Sequence, residues 1–395
     1  MPTQFYEPTD KLICGGCVGE PALKSVVEHF AELACTCFFC DQSPAAPLDA
    51  LLNAFFDGLQ NEFEVVSYQG DFYRGHEDRH QKAHTSTTWQ LIKKHPDAFG
   101  GELFRPGGTG PVTQPNPVLT EVYKSILEYL WVKRGGTGPR RDEALITSWN
   151  DFSHIVKFDT RFVLWRIAGD DHDDAGKIPP SQILDQVQDL IVKYDLIEEI
   201  SAGTFFWRAR THNQPTVVDE ASQLGTTPVD KALTGNRMSP AGIPKFYGAD
   251  DVETAVREAA HHSEHKYASY GRFELTSDVL IVDFTRVPKV PSMFDPLRGA
   301  QHRELSFLHE FTDEMSQPVE SAYKEFRYVP TQVVSEYLLR VRHESDPIIG
   351  LKFKSSLTGK PCVALDIPNQ RCVDYDTHKP ASLRLHVDSV DLCLI

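Results

Sequence analysis

Five of the eight cysteines lie between Cys14 and Cys40. Cys14-Gly-Gly-Cys17 and Cys37-Phe-Phe-Cys40 form two C-x-x-C pairs separated by 19 residues. Each knuckle turns two thiolates towards one point, and four thiolates supply the tetrahedral shell of Zn²⁺. With all four positions taken by protein, such an ion is structural and leaves no open site for a substrate. Cys35 lies close enough in sequence to compete with Cys37. A redox reading needs a thioredoxin-like βαβ context, which neither pair has. Cys362, Cys372 and Cys393 are scattered in strand-like segments. A secreted disulfide scaffold is shorter and denser in cysteine.

Other polar clusters carry less. Asp170-Asp171-His172-Asp173-Asp174 offers ligands for a divalent cation, but consecutive acidic residues rarely converge on one ion, and a solvated loop is the better reading. Arg79 and His84 have the R-x4-H spacing of some helical nucleases, in a stretch crowded by His76, Glu77 and His80. That spacing is short and common, so it does not establish RNase chemistry. GGTGP occurs at 107–111 and 135–139 without a following Gly-Lys-Ser/Thr, so both copies read as turns rather than Walker A loops.

These groups must be held by a chain long enough for more than one core. Residues 1–45 form the four-cysteine module, with Leu23, Val26, Val27, Phe30 and Leu33 at helical spacing between the pairs and Pro21 at a first turn. Residues 46–200 read as mainly helical. The apolar stripes are Leu48 to Leu59, Leu119 to Leu130 and Ile183 to Leu196. Residues 201–395 change texture. Strands are expected at 204–210, 273–276, 279–284, 348–353, 363–366 and 383–387, with helices at 252–265, 304–315 and 333–341. The mixture has no regular βαβ period, which makes the fold class α+β.

The net charge is −16, which repels phosphate backbones and argues against a nucleic-acid partner while permitting a small phosphorylated ligand. No apolar run is long enough for a membrane span. The first residues lack a basic and apolar leader, so a cytoplasmic protein is expected.

Four stretches of the C-terminal part stand in a fixed order: FFWRAR (205–210), NRMSPAGIPKFYGADDVETAVREA (236–259), EFRYVPTQVVSEYLL (325–339) and GLKFKSS (350–356). Together they resemble the RES family, named for an Arg, a Glu and a Ser in that order. The resemblance covers about residues 200–375. The N-terminal part, with its paired C-x-x-C, looks like the zinc-containing HEPN/RES-type leader found before some longer RES proteins. The resemblance implies an NAD-consuming enzyme with a mixed β core related to ADP-ribosyltransferases. It also implies a toxin or defence effector, a separate antitoxin or regulatory protein as partner, and a homodimer. Carried over by position, the family arginine falls on Arg208, the tyrosine on Tyr247, the glutamate on Glu258 and the serine on Ser355. Arg210 and Ser356 are adjacent alternatives, and Arg237 matches a further position that is often Arg in the family.

The chemistry of those residue types agrees with the resemblance. A diphosphate needs a fixed cation, and a guanidinium presents a planar fork to its oxygens. Tyr247 offers a flat face for nicotinamide or its ribose. Asp250 or Asp251 is placed to cap a helix beginning near Val252, which sets Glu258 at the margin of its buried stripe, facing a cleft. A carboxylate there can face the positive charge that develops on the ribose as an N-glycosidic bond breaks. Ser355 would orient the ribose or the nicotinamide amide. His261, His262 and His265 follow on the same segment; general bases are one reading of them, and a solvated, surface-exposed run is the better one. Singly, each of these residues is an ordinary surface or turn residue, and it is their joint occurrence that points to a site. The expectation is therefore NAD cleavage at the nicotinamide–ribose bond, with water or phosphate as acceptor. Protein ADP-ribosyl transfer on the same scaffold and a zinc-bearing module that only binds a nucleotide are the rival readings. Residues before 200 are expected to regulate or localise the enzyme.

Overall fold

The computed structural model describes residues 4–66, 85–101, 103–104, 114–133, 141–163, 178–261, 263–317, 323–340 and 347–395. The Arg79 and His84 pair, the acidic run 170–174, both GGTGP stretches and His262 lie outside these residues. Two compact units are formed. One takes the chain up to Leu145 together with Lys289–Leu305, and the other takes the rest from Ile146.

In the first unit, β1 (Leu12–Ile13) pairs antiparallel with β2 (Ala46–Pro47), bringing the two ends of the cysteine module together. Between them α1 (Pro21–Phe30) starts with Pro21, and the Glu20 side chain accepts from Leu23 N at 2.7 Å. Leu23 and Val27 are its buried face, and the helix stops before Leu33, which is 88% exposed. Helix α2 (Leu48–Glu62) buries Leu48, Leu51, Leu52, Phe55, Phe56 and Leu59, the stripe read from the sequence. Phe294 joins this core, stacked on Phe55 at 5.2 Å, and Arg303 Nε donates to Glu62 Oε1 at 2.8 Å.

A small sheet of β3 (Phe63–Val65), β4 (Ser86–Thr87) and β7 (Leu130–Lys133) follows, with β5 (Leu103–Phe104) and β6 (Gln114–Pro115) as a separate pair. Helix α3 (Thr88–Lys94) is opened by a capping box on Thr87 and Gln90. The second expected stripe breaks: α4 (Pro117–Ser125) ends early, and Leu130 opens a strand. The chain leaves the helix because Leu127 N donates to Phe5 O at 2.8 Å and Tyr6 bridges Ile126.

The second unit begins within α5 (Arg141–His154), followed by α6 (Ile183–Lys193), which buries Ile183, Val187, Leu190 and Ile191. Its centre is a nine-stranded sheet. The strands are β8 (Ile197–Ile200), β9 (Phe205–His212), β10 (Phe246–Ala249), β11 (Tyr267–Leu275), β12 (Val279–Asp283), β13 (Ile348–Lys354), β14 (Pro361–Leu365), β15 (Cys372–Asp374) and β16 (Leu383–Leu394). Their order is β15-β16-β11-β9-β10-β14-β13-β12-β8, parallel only at β12/β13 and β15/β16. This is the α+β class expected from the sequence. The helices of this unit include α7 (Ala221–Leu224), α8 (Val252–Ala260), α9 (His302–Ser316) from Ser306 onward, α10 (Lys324–Arg327) and α11 (Val329–Arg340). Phe206, Leu224, Phe246, Phe273, Leu365 and Leu385 belong to one buried cluster. Each such side chain contributes about 1.5–3 kcal/mol when fully buried. Among the described residues no helix is long and apolar enough to cross a membrane.

One feature of the sheet positions the site. Strand β9 pairs with β11 along its whole length, yet meets β10 only at Ala249↔Trp207. The two strands part beyond that point, so backbone and side chains there face a cleft instead of a ladder.

Candidate active site

A cavity of about 380 Å³ opens at this split. Arg208, Arg237, Tyr247 and Glu258 all line it, so the structure brings four of the five expected catalytic or NAD-binding residues together. The fifth, Ser355, is 3% exposed and lies behind the wall. Its Oγ donates to Glu258 Oε1 at 2.5 Å and accepts from Leu357 N and Thr358 N. Ser356, the adjacent alternative, is the serine that lines the cavity.

Glu258 is set by α8. Asp251 is the cap, accepting from Thr254 N at 3.0 Å, and Ala255 is buried one turn before Glu258. The carboxylate is therefore half-buried, with one oxygen fixed by Ser355. His261 follows on the same helical face and also lines the cavity. His265 bonds Thr211 Oγ1 instead.

Arg208 is anchored to backbone. Its Nε donates to the carbonyls of Leu224 and Gly225 at 2.8 and 3.0 Å, and its Nη1 to that of Tyr247 at 2.7 Å. Its guanidinium stands over the Phe246 ring at 5.1 Å. Burial pulls its pKa down to about 10, which still leaves it charged at neutral pH. Two nearby glycines make room for this arrangement. A Cβ on Gly225 would stand 2.7 Å from Cys372 Cβ, and one on Gly248 would stand 2.9 Å from Phe206 Cβ. Arg210, the alternative arginine, is exposed and turns to the carbonyl of Gln223.

Tyr247 lies on β10. Its hydroxyl accepts from Met238 N at 3.0 Å and lies 3.0 Å from Ser239 Oγ, while burial pushes its pKa up to about 12. The hydroxyl thereby holds the turn that presents Arg237. The same turn is held from α11: Thr331 Oγ1 donates to Arg237 O at 2.6 Å, and Gln332 Nε2 donates to Asn236 O at 2.9 Å. Arg237 Nη1 donates to Met315 O at 2.9 Å.

Sequence reading missed Trp207, Asn236, Tyr328, Phe353 and Cys362, which are also among the lining residues. Four of them sit in the quoted stretches, Trp207 and Asn236 beside Arg208 and Arg237, Tyr328 within 325–339 and Phe353 within 350–356. Cys362 on β14 lies outside those stretches, and no local signal marks it. Cys362 is 5% exposed, and burial, with Glu258 nearby, pushes its thiol above the ordinary range.

In the first unit Cys14, Cys17, Cys37 and Cys40 converge, with all four sulfurs within 4.8 Å of one another. The separations are 3.8 Å for Cys14–Cys17, 3.4 Å for Cys14–Cys40 and 3.9 Å for Cys17–Cys37. This set could hold a metal ion. Cys35 points to Glu32 instead and is not part of it.

Residues 205–388 match the family model described as RES domain, and residues 31–170 match the one described as HEPN/RES N-terminal domain 1. The chain carries a RES domain. No curated protein and no solved structure matches it. The RES match begins at β9 and ends within β16, so it spans Arg208, Arg237, Tyr247, Glu258, Ser355 and Ser356. The HEPN/RES match begins after α1, so it takes in Cys35, Cys37 and Cys40 but neither Cys14 nor Cys17.

Proposed function

We propose that the RES domain cleaves the nicotinamide–ribose bond of NAD. The observation that carries this reading is a carboxylate, Glu258, buttressed by Ser355 in a cavity that also holds Arg208 and Arg237. RES domains are associated with enzymes that act on NAD, and these groups suit that substrate. Arg237, with the edge of Arg208 that is not engaged by carbonyls, would meet the diphosphate as charge-assisted donors. The ring of Tyr247 would pack on nicotinamide or its ribose, its hydroxyl being engaged with the turn.

The C1′–N bond then breaks heterolytically. Its electron pair returns to the cationic pyridinium nitrogen, so neutral nicotinamide leaves and positive charge develops on the ribose. Glu258 faces that charge and stabilises it. Water, or phosphate, bonds to C1′; with water as acceptor, a proton is released. Ser355 acts through Glu258 and is a positioning residue. ADP-ribosyl transfer to protein would follow the same first step with a side chain as acceptor.

Zinc is the ion we assign to the four-cysteine cluster. Zn–S bonds of about 2.3 Å in a tetrahedron put sulfurs about 3.8 Å apart, close to the separations of the four cysteines. When bound, the ion would cross-link the Cys14–Cys17 turn, which lies between β1 and α1, to the Cys37–Cys40 turn, and it would supply no catalysis. We further propose a functional division into a four-cysteine module at 1–45, a regulatory part at 46–200 and the NAD-cleaving part at 201–395. The biological effect would be NAD depletion in the cytoplasm, as a toxin or defence effector. An antitoxin or a second copy of the chain would be its partner.

The test is nicotinamide release from NAD by the full chain, with and without phosphate, beside Glu258→Gln. Release lowered about 100-fold or more in the variant is the expected result. Equal release by both proteins would remove Glu258 from the mechanism. NAD binding without turnover by the wild type would favour the nucleotide-binding module.

A further inference from the structure

The wall formed by Phe353 and Ser356 has a cavity on each side. The second cavity has a volume of about 360 Å³, close to that of the first. The two meet at a cation: Arg237 lines the first, and its Nη1 donates to the carbonyl of Met315, which lines the second. Lys354, exposed at the end of β13, adds a positive charge on the second side. Thr285 and Thr312 also line this side. Their hydroxyl hydrogens are committed to Asp283 Oδ1 and to His309 O, so both oxygens are left as acceptors.

A dinucleotide has this same division, two nucleosides joined by a diphosphate. Each cavity lies at the small end of the range for ligand sites, which suits one nucleoside each. We propose that the second cavity receives the adenosine half of NAD, with the diphosphate crossing at Arg237 and Ser356. The inference rests on the reading of the first cavity as the nicotinamide–ribose site. Phe284, Val287 and Met315 give the adenine an apolar surface, and the two threonine oxygens accept from its amine or from the ribose hydroxyls.

Titration calorimetry on the full chain tests this with two probes that cannot be cleaved at the nicotinamide bond: ADP-ribose, which lacks that bond and carries the adenosine half, and nicotinamide mononucleotide in its carbocyclic form, which lacks the adenosine half and whose ring, with carbon in place of the ribose oxygen, cannot form an oxocarbenium. Ser316→Trp fills the second cavity from the end of α9, and Gln317→Trp does so from an exposed position should the first variant fail to fold. ADP-ribose affinity is expected to fall about tenfold or more, with nicotinamide mononucleotide held within about twofold. ADP-ribose bound equally well by wild type and by a folded variant would overturn the subsite and leave the cleavage reading standing. Equal loss of both probes would also overturn it, because the cavities would then not be separate sites. A wild type that binds neither probe would sink the reading of the first cavity, and the subsite with it.

Discussion

The two units use polar side chains in opposite ways. In the first, four thiols turn inward on one another and share a single centre. In the second, Arg208 and Tyr247 are bonded to backbone or to a neighbouring turn and still present a face to a cavity. The closed cluster can only hold structure together. The open one combines rigidity with accessible chemistry, because the bonds that fix each group use only part of its donor and acceptor capacity. The lesson is that a site can be recognised by what its anchored groups have left over.

Breaking the closed centre has the largest expected effect. Cys14→Ser should abolish the metal stoichiometry and unfold the first unit, since structural zinc contributes on the order of 10 kcal/mol of apparent folding energy. Metal analysis and circular dichroism check this. Cys35→Ser is the contrast, with the metal retained, because Cys35 lies outside the cluster. In the open site, Ser355→Ala removes the donor to Glu258 and the acceptor for Leu357 N and Thr358 N. Nicotinamide release is expected to drop about tenfold through kcat with little change in KM, whereas Ser356→Ala should act mainly on KM. Matched effects in the two variants would deny Ser355 its positioning role.

The smallest effect concerns a carboxyl in the first unit. Burial raises the pKa of Asp57 on α2. Its folded pKa lies above the unfolded one, so its favourable contribution exists below the unfolded pKa and is lost as pH rises through the folded value. Asp57→Asn should therefore raise the melting temperature slightly at neutral pH and change nothing at low pH, as thermal unfolding at two pH values would reveal. A stabilisation confined to acid would reverse the sign and discard the burial account.

What could be read from the chain alone was whatever is encoded within one element. The C-x-x-C spacing, the stripe of α2 and the cap of α8 are local, since each depends on residues a few positions apart and on a single backbone period. The order of the RES stretches was also legible, and with it Arg208, Tyr247, Glu258 and the Ser355–Ser356 pair. The α4 stripe misled because pairing of its C-terminal end with residues near Phe5, distant in sequence, overrode the periodicity. Tertiary structure alone decided that Ser355 supports Glu258 while Ser356 faces the cavity, because adjacent residues of one turn differ only in where the fold points them. It alone decided that Arg208 is fastened to the carbonyls of Leu224, Gly225 and Tyr247, contacts that depend on where β9 and β10 part. It also drew Phe294 into the N-terminal core beside Phe55, although more than half the chain separates them. Local spacing determines which side chains an element can offer. Burial and hydrogen bonding between distant elements determine which of their atoms remain free to act.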